Sequence, residues 1–329
     1  MFFVVAILQL HFSDYYNGEY VSLRDKHERI IITTNNFWIQ FCSFFGLYCN
    51  GSGGAIYSSI SRSDFLIDHT VFAECHSSEN GGAIVKSDTT YGSFVLSNSC
   101  GFSCCCGNDI YRSAPFCYVL SPESGFITFE MSSISRSSPY VSLSQQATSI
   151  NKGTQLINQC NYSHNYMNHH SAIHFASSIS TTITLSSFDS MISSTTGMIW
   201  TNNCSNTTIR QVNFVSNNMQ NNGGMIVAYM QSKIKISGSV FFNNTKKVFT
   251  NYATSIDVEN CVLQSGYTTE GSINLKSNSI GVTQTILLER INLYDCMVNI
   301  FDKCYAPTRQ IISTQILSSV FILYTILSE

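Results

Sequence analysis

One short pattern that keeps returning constrains this chain more than any other feature. Gly53-Gly-Ala-Ile56 recurs as Gly81-Gly-Ala-Ile84 and, with one change, as Gly223-Gly-Met-Ile226; Thr196-Gly-Met-Ile199 keeps half of it. On the second glycine, Gly54 to Gly82 is 28 residues and Gly197 to Gly224 is 27. From Gly224 to Gly271, in Gly271-Ser-Ile273, the interval is 47, close to two shorter turns. A phenylalanine precedes each pattern: Phe44, Phe72 and Phe214 lie nine residues before Gly53, Gly81 and Gly223, and Phe188 nine before Gly197. Hairpin turns of an antiparallel sandwich do not explain such a period. A solenoid does, because each repeat is one coil that buries its apolar face against its neighbours.

Chemistry at each position fits that reading. In an extended segment Gly54 and Ile56 face one way, Ala55 and Tyr57 the other. Ile56, Ile84 and Ile226 then stack on successive coils inside a narrow core, as do the phenylalanines. Paired glycines suit a corner needing positive φ, or a place where backbones approach closely. Asparagines at one coil position, as in Phe214-Val-Ser-Asn217 and Phe241-Phe-Asn-Asn244, can form an amide ladder. Short strand-like runs recur in step, among them Ile30–Ile32, Ser63–Ile67, Gly92–Leu96, Gly125–Phe129, Pro139–Leu143, Thr182–Leu185, Thr208–Val212, Lys233–Ile236 and Ser255–Val258. Gly82 to Ser171 is 89 residues, room for three coils with insertions, and Cys100–Ile110 is the least regular stretch within it.

The paired Gly-Gly-Ala-Ile and Phe-x-x-Asn elements resemble the repeat of the polymorphic outer-membrane protein family. The likeness is clear at 41–57, 72–84 and 188–244. It implies an all-β fold, a right-handed parallel β-helix of pectin-lyase-like shape with coils of about 25–28 residues. It also implies a surface location and an adhesive role. Phe72-Ala-Glu-Cys75 departs from the pattern with Cys for Asn, and Ser171-Ala-Ile173 has lost its glycines.

The expected organisation is 1–13 as a signal peptide or capping strand, 14–29 as a polar lead-in, 30–305 as the β-helix and 306–329 as an apolar tail. The run Phe2–Leu10 carries the first expectation, although it lacks a basic flank and a small-residue cleavage site. In the tail, 311–327 is 17 residues without charge, the lower limit for a membrane span, so it reads as a membrane attachment, a cap or an amphipathic helix. Only 11% of residues are charged and the net charge is −3, which argues against nucleic acid as a partner.

Thirteen cysteines are present, including Cys104-Cys-Cys106, but no Cys-x-x-Cys pair, so disulfides or stacked core thiols are expected rather than a metal site. His164, His169, His170 and His174 cluster without an acidic companion; His170 and His174 share a strand face, with His164 beyond a corner. Neither metal nor cofactor is expected. Five glycosylation sequons begin at Asn50, Asn161, Asn203, Asn206 and Asn243 and favour a secretory route.

An enzyme on this scaffold needs carboxyls converging on one groove, about 5–10 Å apart for glycoside hydrolysis. Asp189 is the only acid between Glu130 and Asp257, and Asp64 with Asp68 is the nearest approach to a pair. No catalytic residue is therefore nominated. The expectation is a non-enzymatic, secreted or cell-surface protein whose solenoid face contacts a host-surface protein or glycan. The alternatives are a pectin-lyase-like carbohydrate-active enzyme and a purely structural coat component.

Overall fold

The computed structural model describes residues 11–280, apart from 34–35, 61, 89, 108–113, 138–145, 168, 196, 221–222 and 246. The Pro139–Leu143 run, most of the leader and the 311–327 tail lie outside the described residues. Strand pairing is parallel throughout. Each coil lays one strand into each of three long sheets. In the second coil these are Ile56–Ser58 in sheet I, Phe65–Asp68 in sheet II and Val71–Ala73 in sheet III. Among the described residues, sheets I, II and III hold ten, eleven and ten strands. A short run after sheet III, such as His76–Ser77, closes the coil in places. The chain is a parallel β-solenoid.

Inside it, equivalent residues form columns. In sheet I, Ile30, Ile56 and Ile84 pair in register, as do Ile173, Ile199 and Ile226. In sheet III, Phe188, Phe214 and Phe241 are consecutive, with ring centroids 5.4 and 4.6 Å apart and planes within 12°. Tyr162 extends the stack at 5.3 Å. All of these are buried except Ile30 in the first coil, which is partly so. The three coils expected between Gly82 and Ser171 are present: Ile84 pairs with Cys117, Cys117 with Thr148 and Thr148 with Ile173, steps of 33, 31 and 25 residues.

The two glycines of the motif have separate jobs. Gly53 and Gly81 sit at φ +71° and +60°; a Cβ on Gly54 or Gly82 would come within 2.1 Å of a carbonyl oxygen on the next coil. Elsewhere corners are turned by other residues in the left-handed region. Between sheets II and III these include Phe41, His69, Asn98, Met131, Gln159, Leu185 and Gln211. Except at Gln211, which Val212 follows, the side chain of the next residue bonds back across the turn. Ser132 Oγ donates to Glu130 O at 2.8 Å and Ser186 Oγ to Thr184 O at 2.8 Å. Each hydroxyl also accepts a backbone N–H from the coil before, as Ser132 does from Ser99 at 3.1 Å. At three of these corners the part is played by a thiol: Cys42, Cys160 and Cys261 donate to the carbonyl two residues back. At the next corner asparagine takes over. Asn217 Nδ2 donates to Phe188 O and Asn244 Oδ1, its Oδ1 accepts the Met191 N–H, and Gln264 continues the ladder beyond Asn244.

Four features differ from the sequence expectation. Ala55 does not face away from Ile56; it precedes the strand, at the corner, and both are buried in the core. Cys100–Phe102 and Cys105–Cys106 are regular strands in register with Val71–Ala73 and His76–Ser77. Gly101 there occupies the phenylalanine column, and the Phe116 ring fills its place. Gly271-Ser-Ile273 is not a copy of the motif. The last coils shorten, Ile226 to Phe249 being 23 residues and Phe249 to Thr269 being 20, so Ile273 falls in sheet II opposite Ile256.

Sheet II begins before Ile30, since Val21–Arg24 already pairs with Phe37–Gln40. Ahead of it a helical turn, Phe12–Tyr15, lies on the outer side of sheet II. Phe12 and Tyr16 bury the outward-facing Trp38, Leu66 and Val95.

Candidate ligand-contact surface

Because strand side chains alternate, every coil sends one set of residues outward, and the corners carry the most prominent of them. The corner between sheets I and II is the best furnished. Late in the chain, Tyr229 and Tyr252 end the sheet I strands Ile226–Tyr229 and Lys247–Tyr252 and are register neighbours. They are 37% and 55% exposed, and Met230 beside them is 55% exposed. Trp200, one coil earlier, brings its ring to 5.4 Å from Tyr229. Together they make a ridge of aromatic rings.

Early in the chain the same corner opens into a cleft of about 430 Å³, built from segments 15–17, 36, 62–64, 91–93 and 124–126. Arg62 is exposed and, among the described residues, makes no ion pair. Asp64 is half-buried, accepts the Ser93 N–H at 2.9 Å, and its carboxyl pKa is raised by burial. Behind the wall lies Lys86, fully buried because its place in Ile84–Ser87 shares the inward face with Ile84. Its ammonium is 3.5 Å from the equally buried Asp88 and 5.8 Å from the Phe65 ring centre. Burial lowers the Lys86 pKa to about 8, against an opposing pull from Asp88. Asp88 also accepts the N–H groups of Ser63, Thr90 and Tyr91 at 3.1–3.3 Å, holding this corner in shape.

Asp64 and Asp68 stand at opposite ends of one strand segment, each bonded to its own neighbours. Asp68 is fully buried and bonds the neighbouring His69 ring at 2.8 Å and Asn98 at 3.0 Å. Glu130, two coils on, is bonded by Tyr15 Oη and by Ser97. Both carboxylates are thus held by corner residues and by the amino-terminal segment.

His164 is the left-handed residue at a corner and points outward. His169 Nδ1 meets Thr195 Oγ1 at 2.9 Å. His174 lies in sheet I beside Trp200, and burial lowers its pKa to about 4. These rings are dispersed over separate surfaces. His76 instead contacts the Cys105 thiol across one coil step. Burial pushes the Cys105 thiol up to about 11 and Cys160 to about 12, so both stay protonated at neutral pH. Among the described residues, no group of three His, Cys, Asp or Glu side chains is placed to hold a metal ion. Asn50, Asn203, Asn206 and Asn243 are exposed, and Asn161 is half-buried at the start of its sheet III strand. Among the described residues, no helix is long and apolar enough to cross a membrane.

Sequence reasoning missed Arg62, Tyr91, Lys86, Tyr229 and Tyr252. Parity with Ile84 was a usable signal for Lys86; the others depend on which coils the corner brings together. These features define a class, the parallel β-solenoid with an aromatic and polar edge. No protein-family model, curated protein or solved structure matches the chain.

Proposed function

We propose that this chain is a non-enzymatic, secreted or cell-surface β-helix of the Gly-Gly-Ala-Ile/Phe-x-x-Asn repeat type, right-handed, that attaches to glycan chains along the corner between sheets I and II. The observation that supports the reading best is the exposed Tyr229–Tyr252 ridge, with Met230 beside it. Coil spacing of about 4.8 Å repeats along the edge on the scale of a sugar unit, and an open ridge suits many weak contacts. Ring faces bind sugars by stacking rather than by charge, so attachment should persist at high ionic strength.

The test is retention of the purified chain on immobilised polysaccharides and on host-cell or matrix surfaces, at 0.15 and about 1 M salt, where the screening length falls to about 3 Å. Retention that survives salt and is lost in Tyr229→Ala/Tyr252→Ala supports the reading; loss on salt addition, or indifference to both substitutions, overturns it. One observation favours the enzymatic alternative, namely Arg62 and Asp64 sharing a cleft. Release of reducing ends or unsaturated products from pectin, polygalacturonate or neutral glucans would establish it.

A further inference from the structure

The cleft at the early end of that edge has the makings of a binding site of its own. Its volume of about 430 Å³ is in the range of small-molecule sites. Ser63 lines it, is only 2% exposed, and its hydroxyl has no hydrogen-bond partner. An orphaned buried hydroxyl carries a desolvation cost that a polar ligand group would remove. Gly92 lets the two coils approach closely at the lining, since a Cβ there would lie 2.2 Å from Ser63 O. Over the mouth stands Tyr91, 60% exposed and free to lie against a ring.

Charge selects the ligand class. Arg62 offers donors and Asp64 acceptors within one lining, and the Lys86–Asp88 pair behind the wall is balanced as well. An anion would meet Asp64 and a cation would meet Arg62. A neutral ring bearing several hydroxyls can use both, together with the hydroxyl of Ser63 and the face of Tyr91. We infer that this cleft is a subsite for one unit of a neutral saccharide. It rests on the glycan-attachment reading and adds to it: the strands from Phe94–Ser97 to Lys233–Ser237 in sheet II are joined by five successive pairings. At about 4.8 Å each, the cleft and the tyrosine ridge lie about 24 Å apart, roughly five sugar units.

Titration calorimetry of the full chain with maltotriose, cellotriose, laminaritriose, chitotriose and trigalacturonate tests this, followed by the hexamer of whichever neutral trimer binds. A neutral trimer should bind, weakened on the order of tenfold by Tyr91→Ala and by Arg62→Ala, both at exposed positions, and unaffected by Tyr252→Ala. The hexamer should lose affinity with either tyrosine substitution. Binding of trigalacturonate in preference to every neutral trimer overturns the assignment, as does no trimer binding, or trimer binding indifferent to both Tyr91→Ala and Arg62→Ala. Polymer retention that Tyr229→Ala/Tyr252→Ala abolishes while no trimer binds would remove the subsite and leave the ridge.

Discussion

Replacing Phe116 by alanine should destabilise the protein strongly, and replacing Gly101 by phenylalanine as well should restore most of what is lost. The column preceding the sheet I strands reads Ala55, Ala83, Phe116, Ala147 and Ala172, linked coil to coil by backbone bonds such as Phe116 N–H to Ala147 O at 3.0 Å. The sheet III column reads Phe44, Phe72, Gly101, Ile134, Tyr162. One coil has therefore exchanged its large and small residues between columns. A Cβ on Gly101 would fall 2.3–2.9 Å from three atoms of the Phe116 ring. Phe116→Ala alone empties a fully buried site facing a glycine, at a cost of about 3–5 kcal/mol. Gly101→Phe alone overpacks the same space, costing about 1–3 kcal/mol or more. The double variant rebuilds the arrangement of the coil before it, where Phe44 and Phe72 stack at 5.2 Å and alanines face them. Chemical denaturation followed by circular dichroism should place it within about 1–2 kcal/mol of the parent, a favourable coupling of at least about 2 kcal/mol. Additive losses would show that the two side chains do not share one space, and the column assignment would fall.

Lys86 should make stability rise in alkali. With its folded pKa near 8 against 10.5 when free, the unfolded chain binds more protons between those values. Unfolding free energy should then climb by about 3 kcal/mol from pH 8 to 10.5 relative to Lys86→Met, measured by urea titration at each pH; equal slopes in the two proteins would refute it. Asn217→Ala orphans the Phe188 carbonyl and the Met191 N–H in the core and should cost about 2–4 kcal/mol. An unchanged thermal midpoint for the alanine variant would remove the ladder from the account of stability.

How much of this was legible in the sequence depended on whether a coil kept its large residues in their usual columns. The columns of Ile56, Ile84 and Ile226 and of Phe188, Phe214 and Phe241 could be read directly, because parallel coils force like residues into contact. Cys100–Cys106 could not, since Gly101 erased the phenylalanine that marks the phase and Phe116 supplied the ring from another column. Gly271 misled for the opposite reason: it looks like the motif, but the last coils are shorter and carry it past the corner. The cleft was invisible because five segments from 15 to 126 form it, at intervals set by insertions rather than by the repeat. Disulfides and stacked thiols could not be separated from spacing. The structure shows the thiols of Cys42, Cys160, Cys204 and Cys261 acting as hydroxyls do, each closing a corner onto its own chain, while Cys100 is disulfide-bonded.

That corner separates what is heritable as fold from what is free to change. At all but the Gln211 corner its geometry is written in the residue after the turn, a serine, threonine or cysteine whose side chain bonds back across it. The left-handed residue itself need only tolerate its backbone, at about 1–2 kcal/mol for a non-glycine side chain. Phe41, His69, Asn98, Met131, Gln159, Leu185 and Gln211 therefore form a line of unlike side chains, one per coil; His69 and Asn98 are tied to the buried Asp68, and from the others the turn asks only that they tolerate its backbone. A lineage can rewrite such a line position by position while the coils beneath stay as they are. On the surface-display reading proposed above, that is a way to alter its appearance without refolding.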